Sequence, residues 1–103
     1  MTISDPYENK LEAACVRLAS IAGYEHRKLD VGRGSKNWID HAFWGPGGRH
    51  LLIEFKRPGE KMTPGQTVRF MRLAKMGHEI YEIQTLDDFE KLLEGELKWS
   101  NRM

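Results

Sequence analysis

In this 103-residue chain, the carboxylates of Asp40 and Glu54 have the chemical type and the spacing to act together in a reaction. The Gly-Pro-Gly-Gly segment at 45–48 is a tight turn between two apolar segments, and a loop of about three residues there would pair Gly45 with Arg49. The same register places Asp40 directly opposite Glu54, with Cβ atoms roughly 4.5–5.5 Å apart. Two carboxylates so placed repel each other, and a divalent cation bound between them would reverse the sign of that interaction.

Lys56 lies two residues beyond Glu54, so the alternation of a strand directs both side chains to one face and Phe55 to the other. A cation held by carboxylates polarises a phosphate and lowers the pKa of a bound water. A neighbouring ammonium can orient the attacking water, help to deprotonate it, or offset charge on the phosphorane. Together these residues form an arrangement suited to phosphodiester cleavage.

Each of these residues also has an ordinary structural interpretation. A Glu-x-Lys triplet is common on a solvated strand face, and Asp40 could be a polar residue at the end of a strand. Glu8 completes a capping box with Asp5, and Gln66 completes one with Thr63. These capping roles do not exclude a role in a site, because the first turn of a helix can also face one.

Capping and turn signals divide the chain in the order helix, three strands, helix, strand, helix. Pro6 lies at the first position of the first helix, which Gly23 ends, and Gly77 ends the second helix, which begins near Thr63. The predicted strands are 24–31, 38–44, 49–56 and 79–84, the last helix is 86–94, and 95–103 is expected to be a loose tail. The expected core-facing residues of the helices are Leu11, Ala14, Cys15, Leu18 and Ala22, then Val68, Met71, Leu73 and Met76, then Leu86, Phe89, Leu92 and Leu93.

The combination of these features resembles a known family. An acidic residue lies on the first helix, Asp40 follows a Gly-rich basic loop, Glu-Phe-Lys-Arg-Pro-Gly at 54–59 ends a strand, and Gln66 begins the next helix. This set is similar to the PD-(D/E)XK nuclease superfamily, and within it to the stand-alone VRR-NUC domain of phages and bacteria. The resemblance covers about residues 4–86. It implies a restriction-endonuclease-like α/β fold with an αβββαβ core, in which helices flank a central mixed four-stranded sheet, as one domain over 1–103.

The resemblance also implies roles for individual residues. Asp40, Glu54 and the backbone carbonyl of Phe55 would bind Mg²⁺ or Mn²⁺, and Lys56 would be the catalytic lysine. Glu8 would support the metal site or its waters, Gln66 would contact the active site, and Glu12, one turn from Glu8, competes with it for that role. One departure is that the family usually has a proline before the aspartate, where this chain has Ile39.

Basic residues are concentrated in the middle of the chain, although the net charge is only +1. Residues 26–78 hold 11 Lys and Arg against 4 Asp and Glu, whereas the two flanks hold 5 against 11. A basic central segment of this kind suits a surface that contacts phosphates. The alternative is that these residues form an ordinary solvent-exposed face. The candidate phosphate contacts are Arg33, Lys36, Arg57, Lys61, Arg69 and Arg72.

Stand-alone domains of the family resemble structure-selective nucleases, some of which cut four-way (Holliday) junctions as dimers. The expected substrate is therefore branched DNA, recognised by backbone and shape, since no base-reading motif is present. A homodimer would supply two active sites for two strands. The candidates for an apolar dimer surface, of which at least two are expected in the core, are Trp38, Phe43, Trp44 and Trp99.

Other features bound the function. No apolar run is long enough to span a membrane, no signal peptide is apparent, and the single cysteine, Cys15, fits a reducing cytoplasm. The resemblance implies that this is the cytoplasm of a bacterial or phage-infected cell. Four histidines with no spaced pair give no zinc signature.

Two alternatives to a nuclease stay open at this point. They are a DNA-binding module that keeps the fold but does not cut, and an interaction protein whose carboxylates bind no metal.

Overall fold

The computed structural model describes residues 6–29 and 38–95. Within these residues, three α-helices, four β-strands and a short 3-10 turn follow one another in the predicted order. They are α1 (Pro6–Ile21), β1 (Glu25–Lys28), β2 (His41–Trp44), the 3-10 turn (Pro46–Gly48), β3 (His50–Phe55), α2 (Pro64–Lys75), β4 (Glu79–Ile83) and α3 (Leu86–Leu93). No helix in these two ranges is long and apolar enough to cross a membrane.

The four strands form one mixed sheet in the order β1-β2-β3-β4, which confirms the predicted architecture. The first three strands are antiparallel neighbours, and β4 lies parallel to β3 after the chain has passed through α2. The strands are shorter than predicted, because β1 spans only four residues and β2 begins at His41 rather than Trp38. Asp40 therefore immediately precedes the first residue of β2.

The turn between β2 and β3 fixes the register on which the site depends. The Gly45 N–H donates to the Arg49 carbonyl at 2.7 Å, and His41 is paired with Ile53. A Cβ at Gly45 would lie 2.2 Å from the Tyr24 ring, and Gly47 has a φ of +71°. Both positions therefore require glycine. The register between β2 and β3 is the one predicted from the sequence.

The sheet is covered by helices on both faces. On one face, α1 and α3 enclose an apolar cluster that includes Phe43, Leu51 and Ile53. Buried residues of the first helix are Leu11, Cys15 and Ala19, one turn apart, and burial raises the pKa of the Cys15 thiol to about 12. The prediction for Ala22 was wrong, since it lies exposed beside Gly23, where the helix has ended.

On the other face, α2 packs through Phe70 and Ala74 against Ile39 and Ile80. The prediction of Val68, Met71 and Met76 as buried residues of this helix was wrong, because these three side chains are exposed. In α3, Phe89 and Leu92 are buried as predicted, whereas Leu86 is exposed. The last predicted tail residues, 96–103, lie outside the described residues.

The aromatic residues proposed for a dimer surface divide between core and surface. Phe43 is fully buried and belongs to the core, as expected for at least two of these four residues. Trp38 and Trp44 are 41% and 45% exposed, and the Trp44 ring stacks on His50 at 5.5 Å. Trp99 lies outside the described residues.

Candidate active site

The start of β2 and the end of β3 bring the two predicted carboxylates together. One step beyond the His41–Ile53 pair, the register sets Asp40 opposite Glu54. The side chains of Glu54 and Lys56 lie on the α2 face of the sheet, while Phe55 is buried in the opposite core. In the parallel pairing with β4, Glu54 is the partner of Glu82, so a third carboxylate follows on the same face.

Glu54 is an unusual carboxylate because only 3% of the residue is exposed. Its pKa is raised from 4.5 to about 7, first by burial and then by repulsion from Asp40, against the attraction of Lys56 and a hydrogen bond from the Asp40 backbone. Lys56 Nζ lies 3.6 Å from Glu54 Oε2. Among the described residues, Glu54 Oε1 has no hydrogen-bond partner. A buried carboxylate oxygen without a partner is costly, and a bound cation would satisfy it.

Asp40 is exposed to solvent on its outer side, yet the surrounding protein removes enough water to raise the pKa of its carboxyl group. The positive charges of Lys28 and Lys56 act in the opposite direction. Sequence reasoning had not selected Lys28, because only the pairing of β1 with β2 brings it beside His41 and Asp40.

Lys56 is held in place by the sheet although it lies one residue beyond β3. Its backbone N–H donates to the Ile83 carbonyl at 3.0 Å, which continues the pairing of β3 with β4. Only 9% of the residue is exposed. The ammonium is therefore confined beside Glu54 and does not extend freely into solvent.

Gln66 takes part in the predicted capping box at the start of α2. Gln66 Oε1 accepts from the Thr63 N–H at 3.1 Å, and Thr63 Oγ1 accepts from the Gln66 N–H at 3.2 Å. The cap uses the amide oxygen of Gln66, so the amide nitrogen is the atom left for any further contact.

The first helix brings its two glutamates to different surroundings. The Tyr7 hydroxyl donates to the Gln84 carbonyl at 2.7 Å, which sets the first turn of α1, with Glu8, at the end of β4. One turn later, Glu12 Oε2 lies 3.5 Å from His41 Nε2. Glu12 thus contacts the residue that follows Asp40. Asp5, the predicted capping partner of Glu8, lies outside the described residues.

The predicted phosphate contacts lie mainly on and before α2. Arg57, Lys61 and Arg72 are exposed, whereas Arg69 is half-buried with its guanidinium 4.3 Å from the centre of the Trp38 ring. Arg69 Nε has no hydrogen-bond partner among the described residues. Arg33 and Lys36 lie outside the described residues.

A histidine pair beside the first helix was missed by the sequence analysis. His26 Nε2 and His41 Nδ1 are 2.8 Å apart, and the two rings are stacked at 5.1 Å. Burial, followed by the charges of His26 and Lys28, lowers the pKa of His41 to about 3. The sequence carries no zinc signature, yet the fold brings three potential metal ligands together here. No local spacing signals this cluster, because Glu12, His26 and His41 come from α1, β1 and β2.

Comparison with known proteins gives one informative result. No family model matches the sequence, and no curated protein matches it. A solved structure described as a "VRR_NUC domain" matches with a TM-score of 0.81 at 21% sequence identity. The match covers 90% of this chain and 100% of that one. The chain has the fold of a VRR_NUC domain, which is the fold expected from the resemblance carried by the ordered set of Asp40, the 54–59 stretch and Gln66.

Proposed function

We propose that this protein is a metal-dependent DNA endonuclease with Asp40, Glu54 and Lys56 at its catalytic centre. The observation that carries the proposal is the buried Glu54, opposite Asp40 and beside Lys56, with one carboxylate oxygen unpartnered among the described residues. Such a group is unfavourable unless a cation joins it. The fold match to a VRR_NUC domain supports the same conclusion.

The donor set fits Mg²⁺ or Mn²⁺. Asp40 and Glu54 would supply carboxylate oxygens and Phe55 its backbone carbonyl, which are the hard oxygen ligands that these ions prefer. When bound, such an ion polarises a phosphodiester and lowers the pKa of a coordinated water.

The remaining residues act on the substrate and the attacking water. Lys56, confined 3.6 Å from Glu54, orients the water or offsets negative charge on the phosphorane. Because the amide oxygen of Gln66 caps α2, its amide nitrogen would be the atom that donates to the substrate or the attacking water. Glu8, in the first turn of α1, would order waters at a bound ion, and Glu12 is less suited to this role because its carboxylate lies against His41.

The substrate we propose is branched DNA, such as a four-way junction, cut by a homodimer in the cytoplasm of a bacterial or phage-infected cell. Exposed cations at Arg57, Lys61 and Arg72 can contact phosphates without reading bases. Arg33 and Lys36 belong to the same basic middle of the sequence and are included in the proposal. Two copies would place one active site on each of two strands.

The test is cleavage of labelled four-way junction, flap, single-stranded and duplex DNA with Mg²⁺, Mn²⁺ or chelator. We expect metal-dependent cutting that falls by roughly 10²–10⁴-fold in Lys56→Ala. Lys75→Ala is the matched control, because it removes an exposed lysine at the end of α2. DNA binding without cutting under either metal would instead identify a non-catalytic binding module, and the preferred substrate would decide whether branched DNA is selected.

A further inference from the structure

Glu12, His26 and His41 form a cluster of metal-binding side chains on the α1 face of the sheet. One oxygen or nitrogen from each residue lies within 4.8 Å of the other two. We propose that these three residues form a second metal site, which takes a transition ion such as Zn²⁺ and is separate from the carboxylate centre of Asp40 and Glu54. This proposal does not depend on the proposed nuclease activity.

The chemistry of the donors separates the two sites. Imidazole nitrogens favour zinc and later first-row ions, whereas Mg²⁺ prefers oxygen ligands and retains its waters. Two histidines and one glutamate are also a donor set that binds zinc with a fourth position open. The cluster is therefore expected to select Zn²⁺ or Co²⁺ over Mg²⁺.

The distances require only a small rearrangement. Donor atoms about 2.0–2.2 Å from one tetrahedral ion are about 3.4 Å apart. The present contacts are 2.8 Å between His26 Nε2 and His41 Nδ1, and 3.5 Å between His41 Nε2 and Glu12 Oε2. An ion can bind only one of the two ring nitrogens of His41. The residue that now contacts the other nitrogen would therefore give up that contact and bind the ion instead.

Packing holds both rings near this geometry before any ion arrives. His41 is 3% exposed and meets Phe55 edge-on at 4.9 Å between ring centres. His26 packs on Phe43 at 4.7 Å. Since these aromatic contacts restrict the rotamers, little side-chain entropy remains to be lost on binding.

Solvent reaches the cluster through an open groove between α1 and β1. The groove has a volume of about 760 Å³, and its lining includes Glu12, His26, Arg17 and Lys28. It provides an entry path for the ion and space for a water or anion at the open coordination position. The bound ion would link α1 to β1 and β2 and so raise the unfolding temperature.

The alternative is that Glu12, His41 and His26 form only a hydrogen-bonded chain. The experiment uses the full chain with Asp40→Asn and Glu54→Gln, which removes the proposed magnesium ligands so that only the histidine cluster can bind strongly. Zn²⁺ titration by calorimetry and the visible absorption of Co²⁺ report binding directly. If this variant does not fold, wild type with saturating Mg²⁺ serves as the background.

We expect one equivalent of Zn²⁺ or Co²⁺ to bind, and the affinity to fall at least tenfold in both Glu12→Gln and His26→Asn. These residues are half-buried, so both variants should fold. His78→Asn, at an exposed histidine, is the control and should bind as the background does. Absence of binding, a loss in only one of the two variants, or an equal loss in the control would overturn the three-ligand site.

Discussion

At the scale of the residue, Glu54 brings stability and chemistry into conflict. Its carboxylate is buried opposite Asp40, and its raised pKa records the cost of carrying a charge there. Lys56 offsets part of that cost from 3.6 Å but leaves the other oxygen unpartnered among the described residues. A residue that only stabilised the fold would be better satisfied, and the proposed cation rests on this observation.

Glu54→Gln should therefore stabilise the metal-free protein at pH 8 by about 1–3 kcal/mol, as measured by urea unfolding in chelator. The pKa in the folded chain, about 7, exceeds the ordinary 4.5, so the folded state binds more protons between these values. Wild-type stability should consequently fall as pH rises through that window, and the variant should lose this dependence. Added Mg²⁺ should stabilise wild type more than the variant. A variant less stable than wild type at pH 8 would show that the charge is compensated.

At the scale of the element, the start of α2 combines a cap with a proposed contact, and two variants separate them. Thr63→Ala removes the acceptor of the Gln66 N–H and should lower the free energy of unfolding by about 1 kcal/mol. Gln66→Glu keeps a cap acceptor but removes the amide donor, so it should retain stability and lose cleavage. Full cleavage by Gln66→Glu would leave the residue with its capping role alone.

A hydrogen-bond network around Arg49 joins the starts of β3 and β4 to the last helix. Arg49 donates to both oxygens of Glu79 at 3.0 Å and also to the Tyr24 hydroxyl and the Leu93 carbonyl at 3.3 Å. The hydrogen bond from Arg49 is the main cause of the lowered Glu79 pKa. The network therefore fixes the far end of the sheet from the proposed active site.

Arg49→Ala should lower the free energy of unfolding at pH 7 by about 1 kcal/mol, with allowance for partial solvent screening. Because the folded-state pKa of Glu79 is depressed, its contribution is present above the ordinary value of 4.5 and is lost as pH falls below it. The difference between wild type and variant should therefore shrink in acid. Arg72→Ala, at an exposed position, should change stability little at either pH.

The helices and strands also show which features of the fold and the site can be predicted from the sequence. The Asp40–Glu54 pairing follows from a short turn and strand alternation, both of which are local. The buried face of α2 was not predictable in this way, because Val68 and Met71 share the helix with Phe70 and Ala74, and only the approach of the sheet selects between them. The contact between His26 and His41 joins residues 15 positions apart and depends on the placement of β1.

At the scale of the whole molecule, the two faces of the sheet have different chemistry. The α2 face holds the carboxylate centre and the exposed cations before and along the helix, while the α1 face holds the histidine cluster and its groove. Under the proposed function, the exposed cations and the carboxylate centre of the α2 face would divide DNA binding and cleavage between them. In the proposed nuclease, the cations would bind phosphates without regard to sequence, and the carboxylates would act only on the bond that is brought to them.

Among the described residues, the salt dependence of DNA binding should accordingly arise from cations of the α2 face and not from those of the α1 face. In chelator, with no cutting, Arg57→Ala, Lys61→Ala and Arg72→Ala should each reduce the slope of log binding constant against log salt by about 1. Arg17→Ala removes an exposed charge that lines the groove on the α1 face and should leave the slope unchanged. Fluorescence anisotropy on four-way junction and duplex DNA gives both slopes. If Arg17→Ala lowered the slope and the three α2-side variants did not, DNA would bind across the histidine groove, and the proposed active site would face away from its substrate.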